Sequence, residues 1–313
     1  MPANLTTRSP LAMDPHADDI VGDPGAVRSM GGIVNAMSVD VEEYFQVSAF
    51  ASTIDQQDWD SYESRVEYCV DRLLDLFAAH DAHCTFFTLG WVAERHKKMI
   101  RRIVEGGHEI ASHGYCHRRA TDQTPEEFRT DVRRTKKILE DLAGTEITGY
   151  RAASFSFNES NTWTHGILEE EGHSYSSSIY PVAHDHYGVP SAPRFPFEPL
   201  PGKEFTEFPL TTVRRMGRNI PCAGGGYFRL FPYGVSRWAM RQVNGGDLEP
   251  AVFYFHPWEI DPDQPRPGGT SLKTRFRHYV NLGRMENKLS RLLSDFRWDR
   301  VDRVLQDSRG VKA

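Results

Sequence analysis

The sequence has few of the features that mark disulfide-rich, membrane-spanning or nucleic-acid-binding proteins. Its 313 residues include only four cysteines, none in a CxxC pair, which argues against a disulfide framework and against a thiolate zinc site. No stretch approaches 18 consecutive apolar residues, so no transmembrane helix is expected. The net charge of −6 gives no reason to expect nucleic acid as a partner.

The amino-terminal segment lacks the apolar centre of a signal peptide and is rich in Pro, Asp, Ala and Gly. We expect residues 1–30 to be a disordered leader and residues 31–313 to form a single domain. Without a signal peptide, the expected location is the cytoplasm, and the inner face of the membrane is compatible with it. The sequence leaves the oligomeric state open.

From Gly32 onward, short apolar runs alternate with segments of helical periodicity. This alternation predicts a parallel sheet or an α/β barrel. The clearest predicted helix spans residues 124–144, with a capping box at its start and a glycine at its end. Single helices are also predicted over 91–107 and 271–296, a strand over 147–157, and a helix capped by Asn161.

Three carboxylates follow the first predicted strand in "MSVDVEEYF". If the strand stays extended through residue 42, the two-residue period places Asp40 and Glu42 on one face and Glu43 on the other. Carboxylates this close resist joint ionisation unless a cation or a shared proton relieves them. A cluster of acids in a surface loop, paired with Arg or Lys, is the alternative.

Two histidines in "SHGYCH" follow another predicted strand. At this spacing His113 and His117 can face one point on a helical turn and share a metal ion. With a carboxylate they would form a three-ligand site that leaves positions open for water and substrate. Ordinary surface or packing histidines are the alternative.

Two further side chains stand at predicted strand ends, where the reactive groups of α/β folds are found. Arg151 lies in an otherwise neutral strand, so a charge buried there needs a partner such as an acid of the cluster. His256 ends the strongly apolar run "VFYF" and could act as a general acid. Its burial would lower its pKa unless an acid in "WEIDPD" compensates.

These segments, in this order, resemble the polysaccharide deacetylases of carbohydrate esterase family four, and more closely those associated with exosortase systems in bacterial exopolysaccharide loci. The resemblance covers about residues 32–296. It is carried by the segments "SVDVEEYFQV", "TFFTLGWVAERH", "GHEIASHGYCH", "GYRAASFSF", "HDHYGVPSAPRFPFE", "GGGYFRLFPYG", "FYFHPWEIDPDQPR" and "RHYVNLGRMENKL".

The resemblance implies a distorted (β/α) barrel of about seven strands, with a loop-rich carboxyl-terminal part and a terminal helix. It also implies a set of roles. Asp40 is the catalytic base and Glu42, in an Asp-x-Glu variant of the acidic motif, is a metal ligand with His113 and His117. Arg151 orients Asp40.

Two more roles follow from the same resemblance. The backbone N–H of Ser154 would help to hold the oxyanion, and His256 would be the general acid. Ser176 stands where relatives often have Asp and is given no role. Five aromatic residues are candidates for a floor under sugar rings: Phe155, Phe157, Tyr227, Phe228 and Trp258.

The expected function is therefore metal-dependent removal of N-acetyl groups from the amino sugars of a bacterial polysaccharide or of a lipid-linked oligosaccharide precursor, in exopolysaccharide biosynthesis. The expected cofactor is a divalent metal, most readily zinc. Two alternatives remain: an amidohydrolase acting on a small cyclic amide or imide with the same scaffold, and a carbohydrate-binding protein that has lost activity. No role is predicted for Glu43 or for Gly224–Gly226.

Overall fold

The first apolar run forms the central strand of the fold. In the computed structural model, which describes residues 32–184 and 187–310, β1 spans Val34–Val41 and is buried from Asn35 onward. A strand that is buried on both faces is typical of a parallel sheet covered by helices. The leader predicted for residues 1–30 lies outside the described residues.

The other elements follow in chain order. The strands are β2 Thr85–Thr88, β3 Glu109–Ser112, β4 Gly149–Tyr150, β5 Tyr175–Ser176, β6 Thr206–Glu207, β7 Thr212–Arg215, β8 Arg218–Pro221, β9 Val252–Phe255 and β10 Arg297–Asp299. The α-helices are α1 Val66–Ala79, α2 Gly90–Arg95, α3 Lys97–Glu105, α4 Pro125–Ala143, α5 Trp163–Glu170, α6 Gly225–Leu230, α7 Tyr233–Arg241, α8 Leu272–Tyr279, α9 Met285–Asp295 and α10 Val301–Gly310.

Eight of these strands form one parallel sheet. It is seven strands wide, because β9 and β10 share the place beside β1. The order runs from β1 through β6, while β9 and β10 lie one after the other along the free edge of β1. Among the described residues no strand pairing joins β6 to β9. A hydrogen bond of 2.7 Å from the Val252 N–H to Thr211 Oγ1 links β9 to the segment after β6 instead. The distorted barrel of about seven strands is therefore confirmed.

The helix predictions are right in kind but wrong in several boundaries. Helix α4 begins at the predicted capping box of Thr124 and Glu127 and ends at Gly144, whose φ of 68° is left-handed. The predicted helix 91–107 is two helices that meet at His96, and the predicted segment 271–296 breaks at Asn281, where φ is 54°. Asn161 does not cap α5, because its side chain bonds the backbone of Asn158 and Ser156 instead.

The strand predicted over 147–157 is mostly a loop. Only Gly149–Tyr150 pairs with its neighbours, and the chain then turns through a short 3₁₀ segment at Ala153–Phe155. Strand β10 was not predicted, since its three residues offer too short a pattern. The parallel arrangement brings the carboxyl ends of the strands to one edge of the sheet, where the candidate side chains lie.

No helix within the described part of the chain is long and apolar enough to cross a membrane.

Candidate active site

A buried ion pair joins the ends of β1 and β4. The Arg151 side chain is fully buried, and its Nη1 lies 2.6 Å from Asp40 Oδ1. The same guanidinium donates to Ser38 Oγ and to the carbonyl and hydroxyl oxygens of Ser177. Burial opposes ionisation of Asp40, but the charge and hydrogen bond of Arg151, together with His113 and His256, hold the pKa of the carboxyl below its ordinary value. Asp40 is therefore an ionised acceptor.

Glu42, His113 and His117 meet next to this pair. Each offers one ligand atom, and these atoms all lie within 4.8 Å of one another. Burial lowers the pKa of both imidazoles, so they are neutral and able to bind a metal. His113 Nδ1 lies 2.8 Å from the Arg151 carbonyl oxygen, which fixes the proton on Nδ1 and leaves Nε2 for a ligand.

One oxygen of this cluster has no hydrogen-bond donor. Glu42 Oε2 is 3.0 Å from His117 Nε2, yet it accepts no well-aligned hydrogen bond from any described residue although it is buried. A buried carboxylate oxygen without a donor is costly unless a cation is bound there. The donor set of two neutral imidazoles and one carboxylate suits a divalent transition metal.

The local backbone brings these ligands together in a way that differs from the helical turn expected for His113 and His117. The segment after β3 is a loop in which Gly114 has a φ of 75° and His117 a φ of 56°, so two left-handed residues turn the second imidazole back toward the first. Glu42 lies one residue past the end of β1, where its N–H bonds the Asp40 carbonyl.

The third acid of the cluster faces elsewhere, as the two-residue period predicts. The Glu43 carboxylate accepts hydrogen bonds from the Ser64 hydroxyl and from the Arg65 N–H at the start of α1, the latter at 3.0 Å. Glu43 therefore holds the first turn of α1 against the end of β1. This contact gives Glu43 a structural role that the sequence left open.

His256 reaches the same cluster from the end of β9. Its Nε2 is 3.4 Å from Glu42 Oε1, and its Nδ1 is 2.9 Å from Glu259 Oε1. Burial acts to lower the pKa of the imidazole, but the hydrogen bond to Glu259 and the charge of Glu42 raise it to about 9. The acid expected in "WEIDPD" is thus Glu259, and His256 is protonated at neutral pH.

Glu259 is itself held by groups that the sequence analysis did not identify. Arg229 is buried, and its Nε lies 2.6 Å from Glu259 Oε2, while its other nitrogens donate to backbone carbonyls at 277, 278 and 280. Burial opposes ionisation of Glu259, but Arg229 and His256 lower its pKa to about 2. Arg229 stands three residues after the glycine run, and nothing in that pattern predicts its contact with Glu259.

The glycine run explains how Glu259 fits. A Cβ on Gly225 would lie 2.2 Å from Glu259 Oε1, closer than any real contact, whereas a Cβ on Gly226 would meet nothing within 4 Å. Within Gly224–Gly226, for which the sequence predicts no role, Gly225 therefore makes room for Glu259.

Ser154 lies in the loop after Arg151 with a left-handed φ of 54°. Its hydroxyl bonds the hydroxyl of Ser48, which lines a cleft of about 510 Å³ beside His117. The cleft is also lined by Ser52, Asp55 and other exposed residues of the segment 45–59, so it opens to solvent.

Several predicted contacts are absent from this cleft. Four of the five aromatic candidates are no more than 6% exposed and belong to the core: Phe155, Phe157, Phe228 and Trp258. The prediction that these four form a floor under sugar rings is therefore wrong. Trp258 instead stacks on His256 with ring centroids 5.1 Å apart. Ser176 bonds the Ser178 hydroxyl at 2.7 Å and reaches none of the candidate side chains directly among the described residues.

Comparison with known families divides the chain in two. Residues 49–170 match the family described as polysaccharide deacetylase, and residues 177–306 match a domain of unknown function, DUF3473. The first match includes His113, His117 and Arg151, the second includes His256, and Asp40 precedes both. The site is thus shared between the two matched regions and the strand before them.

Curated relatives match part of the chain. A peptidoglycan deacetylase from Helicobacter pylori is 29% identical over 36% of this chain and 38% of its own length. A peptidoglycan-N-acetylglucosamine deacetylase from Bacillus cereus is 36% identical over 23% of this chain and 26% of its own length. A chitooligosaccharide deacetylase from Rhizobium leguminosarum is 24% identical over 36% and 48%. The chain spans less than half the length of these relatives.

Two solved structures share the fold over most of the chain. A protein described as a polysaccharide deacetylase from Mycobacterium smegmatis has a TM-score of 0.59, with 20% identity over 90% of this chain and 92% of its own. PuuE allantoinase has a TM-score of 0.57, with 18% identity over 93% and 96%. At these identities the likeness concerns the fold alone.

The packing of Gly225 generates a test of the Glu259–His256 contact. In metal-free protein, Gly225→Ala should displace Glu259 and lower the pKa of His256 by about one unit or more, because a paired carboxylate favours the imidazolium. Histidine NMR titration measures this pKa. The matched control, Gly226→Ala, should leave it unchanged. An unaltered His256 pKa in folded Gly225→Ala would contradict the assigned role of the glycine.

Proposed function

We propose that this chain is a member of carbohydrate esterase family four and a metal-dependent hydrolase that removes N-acetyl groups from the amino sugars of a polysaccharide. The match of residues 49–170 to the polysaccharide deacetylase family supports the proposal. The observation that carries the proposal is the meeting of an ionised Asp40, two neutral imidazoles with a buried carboxylate, and a protonated His256 at one edge of the sheet. Amide hydrolysis needs a base, a charge-stabilising group and an acid in one place.

Glu42, His113 and His117 would hold the metal, since their donor atoms and the unpaired Glu42 oxygen fit a divalent cation. A divalent cation supplies Lewis-acid polarisation of a carbonyl and acidification of water. Zinc is the proposed ion, because two histidines and one carboxylate with open positions is a common zinc donor set.

Asp40 accepts a proton from the attacking water as that water adds to the acetyl carbonyl carbon. The ion pair with Arg151 keeps the carboxylate ionised and fixes its direction. The carbonyl oxygen becomes an oxyanion in this step, and the Ser154 N–H in the adjacent loop is proposed to donate to it.

His256 completes the reaction from the opposite side. As the carbon–nitrogen bond breaks, its Nε2 proton passes to the departing sugar nitrogen, so that acetate and a free amine are formed. Glu259 holds Nδ1 and thereby directs Nε2 toward Glu42 and the cluster. The amine is a poor leaving group without that proton, which is why the site needs an acid as well as a base.

The cleft beside His117 favours a polymer over a small cyclic amide or imide. It is lined by exposed hydroxyl and carboxylate side chains and opens to solvent, as an extended chain of sugars requires, whereas sites for small molecules bury most of the ligand surface. The names of the curated relatives, which refer to peptidoglycan and chitooligosaccharides, support an N-acetylated glycan. A lipid-linked oligosaccharide and a place in exopolysaccharide biosynthesis are the finer proposals.

Metal content tests the ligand assignment without any assay of activity. His117→Ala should weaken metal binding at least about 100-fold, because it removes one of three protein ligands. Elemental analysis after dialysis measures the bound metal. His80→Ala, a histidine whose partner is Ser290 on α9, is the control and should keep the metal. Full metal content in His117→Ala would show that the ligands are wrong.

Asp40→Asn separates the base from the ligands. The amide fills the same space but takes no proton, so turnover should fall about 10²–10⁴-fold while the metal stays bound. Deacetylation of a chitooligosaccharide, together with metal content and circular dichroism, measures the three quantities. Loss of metal from folded Asp40→Asn would make Asp40 a ligand and exchange its role with that of Glu42.

His256→Ala tests the acid through the leaving group. The rate on an N-acetyl sugar should fall about 10²–10⁴-fold, the usual contribution of a positioned acid. The loss should be much smaller for an aryl acetate ester, whose phenolate leaves with little protonation. Equal losses on both substrates would mean that His256 shapes the site without transferring a proton.

A further inference from the structure

A long stretch of the carboxyl-terminal part contains no acidic residue. Residues 208–246 include six arginines and neither Asp nor Glu, although Asp and Glu make up 43 of the 313 residues and the whole chain has a net charge of −6. About five acids would be expected in 39 residues at the average frequency. This stretch folds into the hairpin β7–β8 and the helices α6 and α7.

The turn of the hairpin exposes an apolar side chain in an unfavourable conformation. Met216 is 95% exposed, and its φ of 49°, followed by Gly217 at 76°, forms a two-residue turn of the kind that favours Asn or Gly. A methionine in the left-handed region is strained, because its Cβ crowds the following carbonyl oxygen. Neither its conformation nor its exposure helps the fold, and such positions point to a function.

The residues on either side of the turn add like charges. Arg215 and Arg218 are directly opposite each other on the two strands, an arrangement that destabilises a hairpin. Both are exposed, as is Arg214, and none of the three has a carboxylate partner among the described residues. The acids that flank the stretch in sequence, Glu207 and Asp247, are in contact with His165 and Arg194.

Helix α7 continues this surface. Val235 and Trp238 are one turn apart on it and are 45% and 40% exposed, so they share a face. The Arg215 guanidinium lies 5.5 Å from the Trp238 ring centroid and connects the hairpin to the helix. We call Arg214–Arg218 together with Val235 and Trp238 the hairpin–helix surface.

We propose that the hairpin–helix surface docks on an anionic phospholipid membrane. Arginines attract the negative headgroups of such a membrane. The exposed Met216, Val235 and Trp238 would enter the interface, where tryptophan in particular is favoured. An anionic polymer would pair with the arginines but would leave the apolar side chains in water, so a membrane accounts for both halves of the surface.

The hairpin is also close to the candidate active site. Asn219 of β8 donates to the Pro181 carbonyl oxygen at 2.9 Å, and the ring of the preceding Tyr180 lies 5.8 Å from that of Phe155, in the loop after Arg151. Docking through this surface would place the cleft near the membrane. The docking proposal does not depend on the proposed reaction, and it is tested by binding alone.

Vesicle co-sedimentation tests the proposal with the full chain. The protein should bind vesicles of phosphatidylcholine with about 30% phosphatidylglycerol and not vesicles of phosphatidylcholine alone, and high salt should release it. Arg214→Glu with Arg218→Glu should lower the partition coefficient at least about tenfold. The matched control, Lys98→Glu with Arg101→Glu on the exposed face of α3, makes the same change in net charge and should have little effect.

A second variant separates a membrane from a soluble polyanion. Met216→Asn removes the apolar side chain without adding charge, so it should weaken vesicle binding several-fold while hydrolysis of a soluble substrate stays unchanged and thermal stability does not fall. Absence of binding to the anionic vesicles would overturn the proposal. It would also be overturned if the α3 control lost as much binding as the hairpin variant. Vesicle binding by Met216→Asn equal to that of the original chain, together with binding of polyphosphate, would assign the surface to a polyanion instead.

Discussion

The buried ion pair between Arg151 and Asp40 is the interaction on which the arrangement of the site depends. It joins the ends of β1 and β4, which are three strands apart in the sheet order. Breaking a buried pair by removing one partner typically costs about 3–5 kcal/mol, because the other charge is left uncompensated. The Arg151 carbonyl also holds the His113 ring, so one residue fixes both the proposed base and a proposed metal ligand.

The surroundings of the three histidines give chemically similar rings opposite protonation states. His113 and His117 are buried with little compensation and are neutral, whereas His256 lies between two carboxylates and holds its proton. Separating the pKa values of neighbouring groups in this way allows one site to contain both ligands and an acid. Arg229 is essential to this division, because without a cation beside it Glu259 would be costly to bury as a carboxylate.

Sequence reasoning could identify the side chains at the strand ends but not the groups that orient them. Asp40, Glu42 and His256 follow apolar strands, and their positions follow from the two-residue period and from the meeting of parallel strand ends. Ser177 and Arg229 come from loop and helix positions whose partners are separated by 26 and 30 residues, and no local pattern encodes such contacts. The loop at His117 was likewise missed, because its turn depends on a left-handed histidine.

The two regions that match different families cannot be assigned separate halves of the chemistry. Residues 49–170 contribute two imidazoles and Arg151, but the proposed base Asp40 and the proposed carboxylate ligand Glu42 lie at the end of β1, before that match begins. Residues 177–306 contribute His256 through β9, which pairs with β1 at the very residues that lead to Asp40. The domain of unknown function is therefore part of the barrel. Its Arg229, Glu259 and Gly225 support His256, so the matched deacetylase region alone lacks part of the proposed site.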